Sequence, residues 1–134
     1  WPSLGAFERN MSAMAMTAQG LGITLVMASQ PSLYRLDLNE QERRDIILPG
    51  MCFHVGESKV SIASMKRGME TFNAVSRRIA RSRGLLYVEL DEAVPKDLAH
   101  FIDDVHYTER GNQVIGQAMA GAIIESGVIA PKGR

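Results

Sequence analysis

One cysteine, Cys52, stands alone among 134 residues, so no internal disulfide can brace this fold. Charge of one sign in excess is missing too. Fifteen basic side chains offset fifteen acidic ones, which removes the net field that would draw the chain to nucleic acid or an anionic membrane. The longest apolar stretch, Leu21–Ala28, is far too short to cross a bilayer, so no membrane span is expected. Aromatic residues make up only 6%, and there are no internal repeats, low-complexity tracts or linkers. What is present is an ordinary globular mixture, 46% apolar and 22% charged, in a chain sized for one core. The first residue is Trp1 rather than Met, so the compartment is not readable.

The hydrophobic pattern predicts an α/β arrangement. Phe7, Met11, Met14, Ala18 and Leu21 recur at helical spacing, and the methionines at 11, 14 and 16 read as flexible core filler rather than a ligand face. Ile23–Ala28 runs apolar without alternation, as a strand of a parallel sheet covered on both faces would. The stretch from Gln30 to Ser58 is long and irregular. It contains a short helix expected over Asn39–Ile47, capped by Asn39, and a turn at Pro49-Gly50. Leaving the carboxyl end of a parallel strand, it is expected to shape a substrate crevice.

A second long helix is predicted from Ser61 to Arg83. Met65, Met69, Phe72, Val75 and Ile79 form its buried stripe, with Lys66, Arg67, Arg77, Arg78, Arg81 and Arg83 as a solvated basic face. Gly84 ends it, and Leu85–Leu90 reads as the second strand of a βαβ unit. A loop over Asp91–His100 follows, with one helical turn around Lys96–Ala99. Thr108 then caps a last helix whose stripe is Val114, Ile115, Ala118, Met119, Ala122 and Ile123. Gly116 and Gly121 within that stripe predict close packing on the sheet, and Gly127 and Pro131 mark its finish.

The chemistry concentrates in Phe101-Ile102-Asp103-Asp104-Val105-His106-Tyr107-Thr108-Glu109-Arg110-Gly111. A carboxylate three residues before a histidine can lie on the same side of a tight turn. It can then accept the imidazole Nδ1–H, fix the tautomer and steady the imidazolium, leaving Nε2 to take a proton. That is the base-and-orienter half of a serine-type triad. The plain alternative is helix N-terminal chemistry, where carboxylates complement the positive end of the dipole.

This block, with Gly111-Asn112 and the apolar run to Ala120, resembles the last motif of the SGNH (GDSL-type) hydrolases, an Asp-x-x-His after the final strand. The resemblance makes His106 the general base and Asp103 its orienter, with Asp104 outside the family pattern. The loop Ser29-Gln30-Pro31-Ser32-Leu33-Tyr34-Arg35 and the Asn73-Ala74-Val75 of the central helix also look like bacterial members. The family's flavodoxin-like fold, a three-layer α/β/α doubly wound parallel sheet of five strands, is what the resemblance implies, together with a small-molecule carboxylic ester as substrate, such as an acetylated sugar or lipid. It implies no metal and no organic cofactor. The Gly-Asp-Ser nucleophile block, the glycine block and the Gly-x-Asn-Asp block are absent, so residues 1–134 read as the C-terminal part of such a domain. On that reading the edge of strand 23–28 pairs with the missing N-terminal part, or with a second copy. Transfer of the acyl group to a sugar hydroxyl, and a non-catalytic half-domain acting in assembly through the open edge, are the alternatives.

Three other constellations compete. Gly56-Glu57-Ser58, after a short strand at Cys52–Val55, has the layout of a nucleophile elbow, although Ser58 suits a helix N-cap better. Cys52 beside His54 or His106 suggests a thiol nucleophile, but nothing marks a lowered thiol pKa. His54, His100, Asp103, Asp104 and His106 are metal-ligand types without metal-ligand spacing.

Overall fold

A computed structural model describes residues 1–45, 54–55 and 58–129 of the chain, and only the backbone of residues 45, 54, 55, 58 and 59. The elements in order are α1 (Leu4–Gly20), β1 (Val26–Ala28), α2 (Glu40–Asp45), β2 (His54–Val55), β3 (Ser58–Lys59), α3 (Ile62–Ser82), β4 (Leu86–Val88), α4 (Leu90–Ala93) and α5 (Glu109–Ser126). β1 and β4 pair in parallel, Val26 opposite Leu86, Met27 opposite Tyr87 and Ala28 opposite Val88. β2 and β3 form a small antiparallel ladder of their own. The chain is therefore mixed α/β, with α3 as the crossover between two parallel strands. Among the described residues β1 pairs with β4 alone, so its other edge is open.

Two clusters make the core. In the first, Ala15, Met27, Val75, Ile79 and Ala80 are buried together, flanked by Leu4, Phe7, Met11, Leu25, Leu85 and Tyr87. Side chains alternate along a strand. Leu25, Met27, Leu85 and Tyr87 thus face α1 and α3, and Val26, Ala28, Leu86 and Val88 point to the reverse. The inward stripe of α1 is Leu4, Phe7, Met11, Ala15 and Ala18: Phe7, Met11 and Ala18 stand as expected, and Ala15 takes the place of Met14. Met14, Met16 and Leu21 are exposed and fill no core. Ala15 is fully buried there, in one cluster with Val75, Ile79 and Ala80 of α3.

The second cluster sits beyond the carboxyl ends of the two strands. Leu33, Tyr34 and Leu38 from the loop after β1 pack with Met65 of α3 and with Val94 and Phe101 from the loop before α5. The first part of the long connection thus does two things: Leu33, Tyr34 and Leu38 enter the core, while Gln30 and Pro31 line a crevice at the strand ends. Pro49-Gly50 and Cys52 lie outside the described residues. Asn39 caps α2 as expected, in a reciprocal box. Its side chain accepts from the Glu42 amide at 2.9 Å and its own amide donates to the Glu42 carboxylate at 2.9 Å. That carboxylate, nearly buried, also receives the Arg35 guanidinium.

Four expectations need correction. Ser61, not Ser58, caps α3, accepting from the Ser64 amide at 3.1 Å, while Ser58 lies in β3. The second strand stops at Val88, because Leu90 turns inward as the first residue of α4. Gly116 and Gly121 face open space, so they are not packing sites. The basic face of α3 is partly paired: Arg77 meets Glu89, and Arg78 meets Glu8 at 2.9 Å.

Candidate active site

The segment before α5 folds back on itself. Phe101 and Tyr107 form an isolated antiparallel bridge, and the Ile102 amide donates to the His106 carbonyl at 2.9 Å. Inside this short loop the Asp103 carboxylate is held from three directions. One oxygen accepts the amides of Val105 and His106, each at 2.9 Å, and the other meets His106 Nδ1 at 2.7 Å. An ionised carboxylate only accepts, so Nδ1 carries the proton and Nε2 is the basic nitrogen. The Asp103 side chain is 17% exposed and the His106 side chain 71%. Burial pushes Asp103 upward, but the two amides and the imidazole outweigh it and hold the carboxyl below its ordinary value. Among the described residues no hydroxyl is hydrogen-bonded to His106 Nε2.

The adjacent acid has a different job. Asp104 is 0% exposed and accepts the Tyr34 hydroxyl at 2.7 Å, while its carbonyl accepts the Leu33 amide at 2.9 Å. The backbone of one residue thus ties the His106 loop to the loop after β1, and its side chain ties it to the core. The Tyr34 phenol is pushed well above the usual range, first by burial and then by the Asp104 carboxylate.

Sequence reasoning overlooked a near copy of the pair. Asp97-Leu98-Ala99-His100 has the same spacing and joins the same kinds of group, although one Asp97 oxygen takes all three contacts. Asp97 accepts the Ala99 amide at 2.9 Å, the His100 amide at 3.1 Å and meets His100 Nδ1 at 2.7 Å. The histidines differ most in exposure: the His100 side chain is 7% exposed, ten times less than that of His106. The spacing by itself is therefore a recipe for a turn, and position at the surface separates a candidate base from a structural histidine. The signal was available, since the two motifs are six residues apart in the sequence.

The two outlying stretches of the resemblance meet at the strand ends. Asn73 of α3 accepts the Gln30 amide at 2.8 Å and donates to the Gln30 carbonyl at 3.0 Å, fixing the chain as it leaves β1. Tyr107, next to His106, donates to the Pro31 carbonyl at 3.1 Å and receives the Gln30 side-chain amide. The histidine loop and the β1 loop are so joined on both flanks, through Tyr107 and through Asp104.

Of the other candidates, Cys52, Gly56 and Glu57 lie outside the described residues, and only the backbones of His54 and Ser58 are described. Among the described residues no three His, Cys, Asp or Glu side chains come together as a metal-holding group.

Burial raises all three tyrosines above their ordinary value, Tyr107 to about 12. A phenol raised in the folded state keeps its proton after the unfolded chain, with an ordinary value of about 10, has lost it. Its contribution is complete below pH 10 and is lost as pH rises toward 12 and beyond. As pH rises through 10, phenolate absorbance of the folded protein is thus expected to lag behind that of the chain unfolded in urea. Coincident titrations in the two states would contradict the burial.

Compared with protein-family models, curated proteins and solved structures, the chain matches none, and its chemistry is read from these side chains.

Proposed function

We propose that these residues are the base-bearing part of an SGNH-type, serine-dependent ester hydrolase, with a nucleophilic serine supplied from outside them. The observation that carries the proposal is the solvent-facing His106 whose Nδ1 is held by Asp103 at 2.7 Å. In the reaction, His106 Nε2 takes the proton as the serine oxygen bonds to the ester carbonyl carbon. Asp103 keeps the ring in the right tautomer and stabilises the imidazolium. When the tetrahedral intermediate collapses, the bond to the alcohol breaks and His106 returns its proton to the leaving oxygen. Water then repeats the sequence to free the acid. Backbone donors contributed with the serine would stabilise the oxyanion. A sugar hydroxyl in place of water makes the same chemistry an acyl transfer.

The open edge of β1 favours a second reading, a half-domain that acts by strand pairing. A serine-reactive fluorophosphonate probe separates the two. It is applied to a protein carrying these residues together with whatever precedes Trp1 in its reading frame. Labelling of a serine upstream, lost with ester hydrolysis in His106→Ala, supports the enzyme. Absence of labelling favours the assembly reading, and labelling at Ser58 relocates the nucleophile into this chain.

A further inference from the structure

A crevice of about 500 Å³ opens at the carboxyl ends of the strands, a size within the roughly 300–1,000 Å³ of small-ligand sites. Ligands of open α/β sheets bind at this end. Its apolar wall comes from Phe7 and Met11 of α1, Met69 and Phe72 of α3 and Ile115 of α5. No charged side chain lines it among the described residues.

The polar groups in the lining are mostly turned on one another. The Asn73 amide is engaged by the Gln30 backbone, the Tyr107 hydroxyl by Pro31 and Gln30, and the Ser29 hydroxyl by the Asp91 amide at 2.9 Å. A sugar, whose hydroxyls each need a partner, would leave its own polar groups unmatched here. A phosphate or carboxylate would find no counter-charge. A hydrocarbon chain matches both properties. Tyr107 belongs to this lining and is the residue after His106, within the same bridged loop.

We infer that the crevice binds the aliphatic acyl chain of a neutral ester, so that the preferred substrates are lipid-like esters rather than acetylated sugars. The inference rests on the ester-hydrolase reading and narrows it. Two flexible methionines in the wall allow the fit to vary with chain length.

The chain contains its own reporter, because Trp1, its one tryptophan, lies edge-on to Phe72 at 6.5 Å between ring centres. Titrating the protein with methyl butanoate, hexanoate and octanoate, and following Trp1 fluorescence, is expected to give affinities that rise about fourfold per added methylene until the crevice is full. N-acetylglucosamine is expected to give no response. Met11→Glu and Met69→Glu, each checked for folding by circular dichroism, are expected to weaken octanoate-ester binding at least about tenfold, since each places a charge in the wall.

Affinities independent of chain length, a sugar response equal to that of the esters, or a series unmoved by both folded variants would each overturn the inference. So would a dimer that shows no ester response. Binding needs no nucleophile, so the chain-length series is expected without turnover. Ester binding kept while hydrolysis never depends on His106 sinks the catalytic reading alone. Hydrolysis that depends on His106, without a chain-length trend in binding, sinks the crevice alone.

Discussion

Asp103→Asn is expected to lower ester turnover by about 10⁴-fold near neutral pH in the serine-bearing protein, with His106→Ala at least as damaging. The asparagine is nearly isosteric and retains an oxygen for the amides of Val105 and His106, so the loop should persist. Its amino group, however, is a donor, and facing Nδ1 it would turn the imidazole to the wrong tautomer and move the proton to Nε2. Turnover should therefore fall with little change in KM, and Asp103→Glu should not restore it, because the longer acid cannot keep all three contacts. The pH dependence has a definite sign. Asp103 is depressed in the folded state, so its stabilising contribution is present above the ordinary carboxylate value of about 3.9 and is lost as pH falls through the depressed one. Above about pH 5 it stays ionised, and the carboxylate should impose no acid limb on turnover there. Unchanged kcat in Asp103→Asn, measured on a p-nitrophenyl ester, would remove the orienter role.

Gly111→Ala is expected to be the most destabilising glycine-to-alanine change among the described residues. A Cβ at this position would lie 2.2 Å from the His100 carbonyl oxygen, 3.1 Å from its carbon and 3.1 Å from the Tyr107 Cβ. The obstacle is backbone, and that carbonyl already accepts the Thr108 amide at 3.1 Å, so it cannot step aside cheaply. Overpacking of this kind costs about 3 kcal/mol or more, a large share of a net stability of about 5–15 kcal/mol. The loss should appear as a lower urea midpoint with little change in slope. Gly116→Ala and Gly121→Ala serve as controls in the same helix. Nothing stands within 4 Å of either new methyl, and removing backbone freedom should stabilise by about 0.5–1 kcal/mol. Equal effects at all three positions would contradict the close approach at Gly111.

Which parts of this were legible in advance follows from how local their causes are. Thr108 and Glu109 announce the start of α5 because a cap and an acid in the first turn act within four residues; the Thr108 hydroxyl does accept the Gly111 amide at 3.1 Å. The buried stripe of α3 is likewise set by its own periodicity, with Met65, Val75 and Ile79 inside. For α1 periodicity alone was ambiguous. Met14 and Ala15 are adjacent and both apolar, and the contact with α3 decides between them. At the site, the three-residue spacing determines the Asp103 turn, so that geometry could be anticipated. The same spacing at Asp97 went unremarked, because what distinguishes the pairs is exposure, which long-range packing sets. Tyr34 and Asp104 are 70 residues apart, and no local signal marks their hydrogen bond.

The twin turns have one more use. His100 and His106 present the same ring nitrogen to an aspartate three residues earlier, one shielded and one bathed in water. The molecule thus carries a built-in reference compound for its own imidazole. In a nitrogen-15 spectrum both rings carry an aspartate on Nδ1, so the resonance of the shielded one is the natural standard against which to read the exposed one.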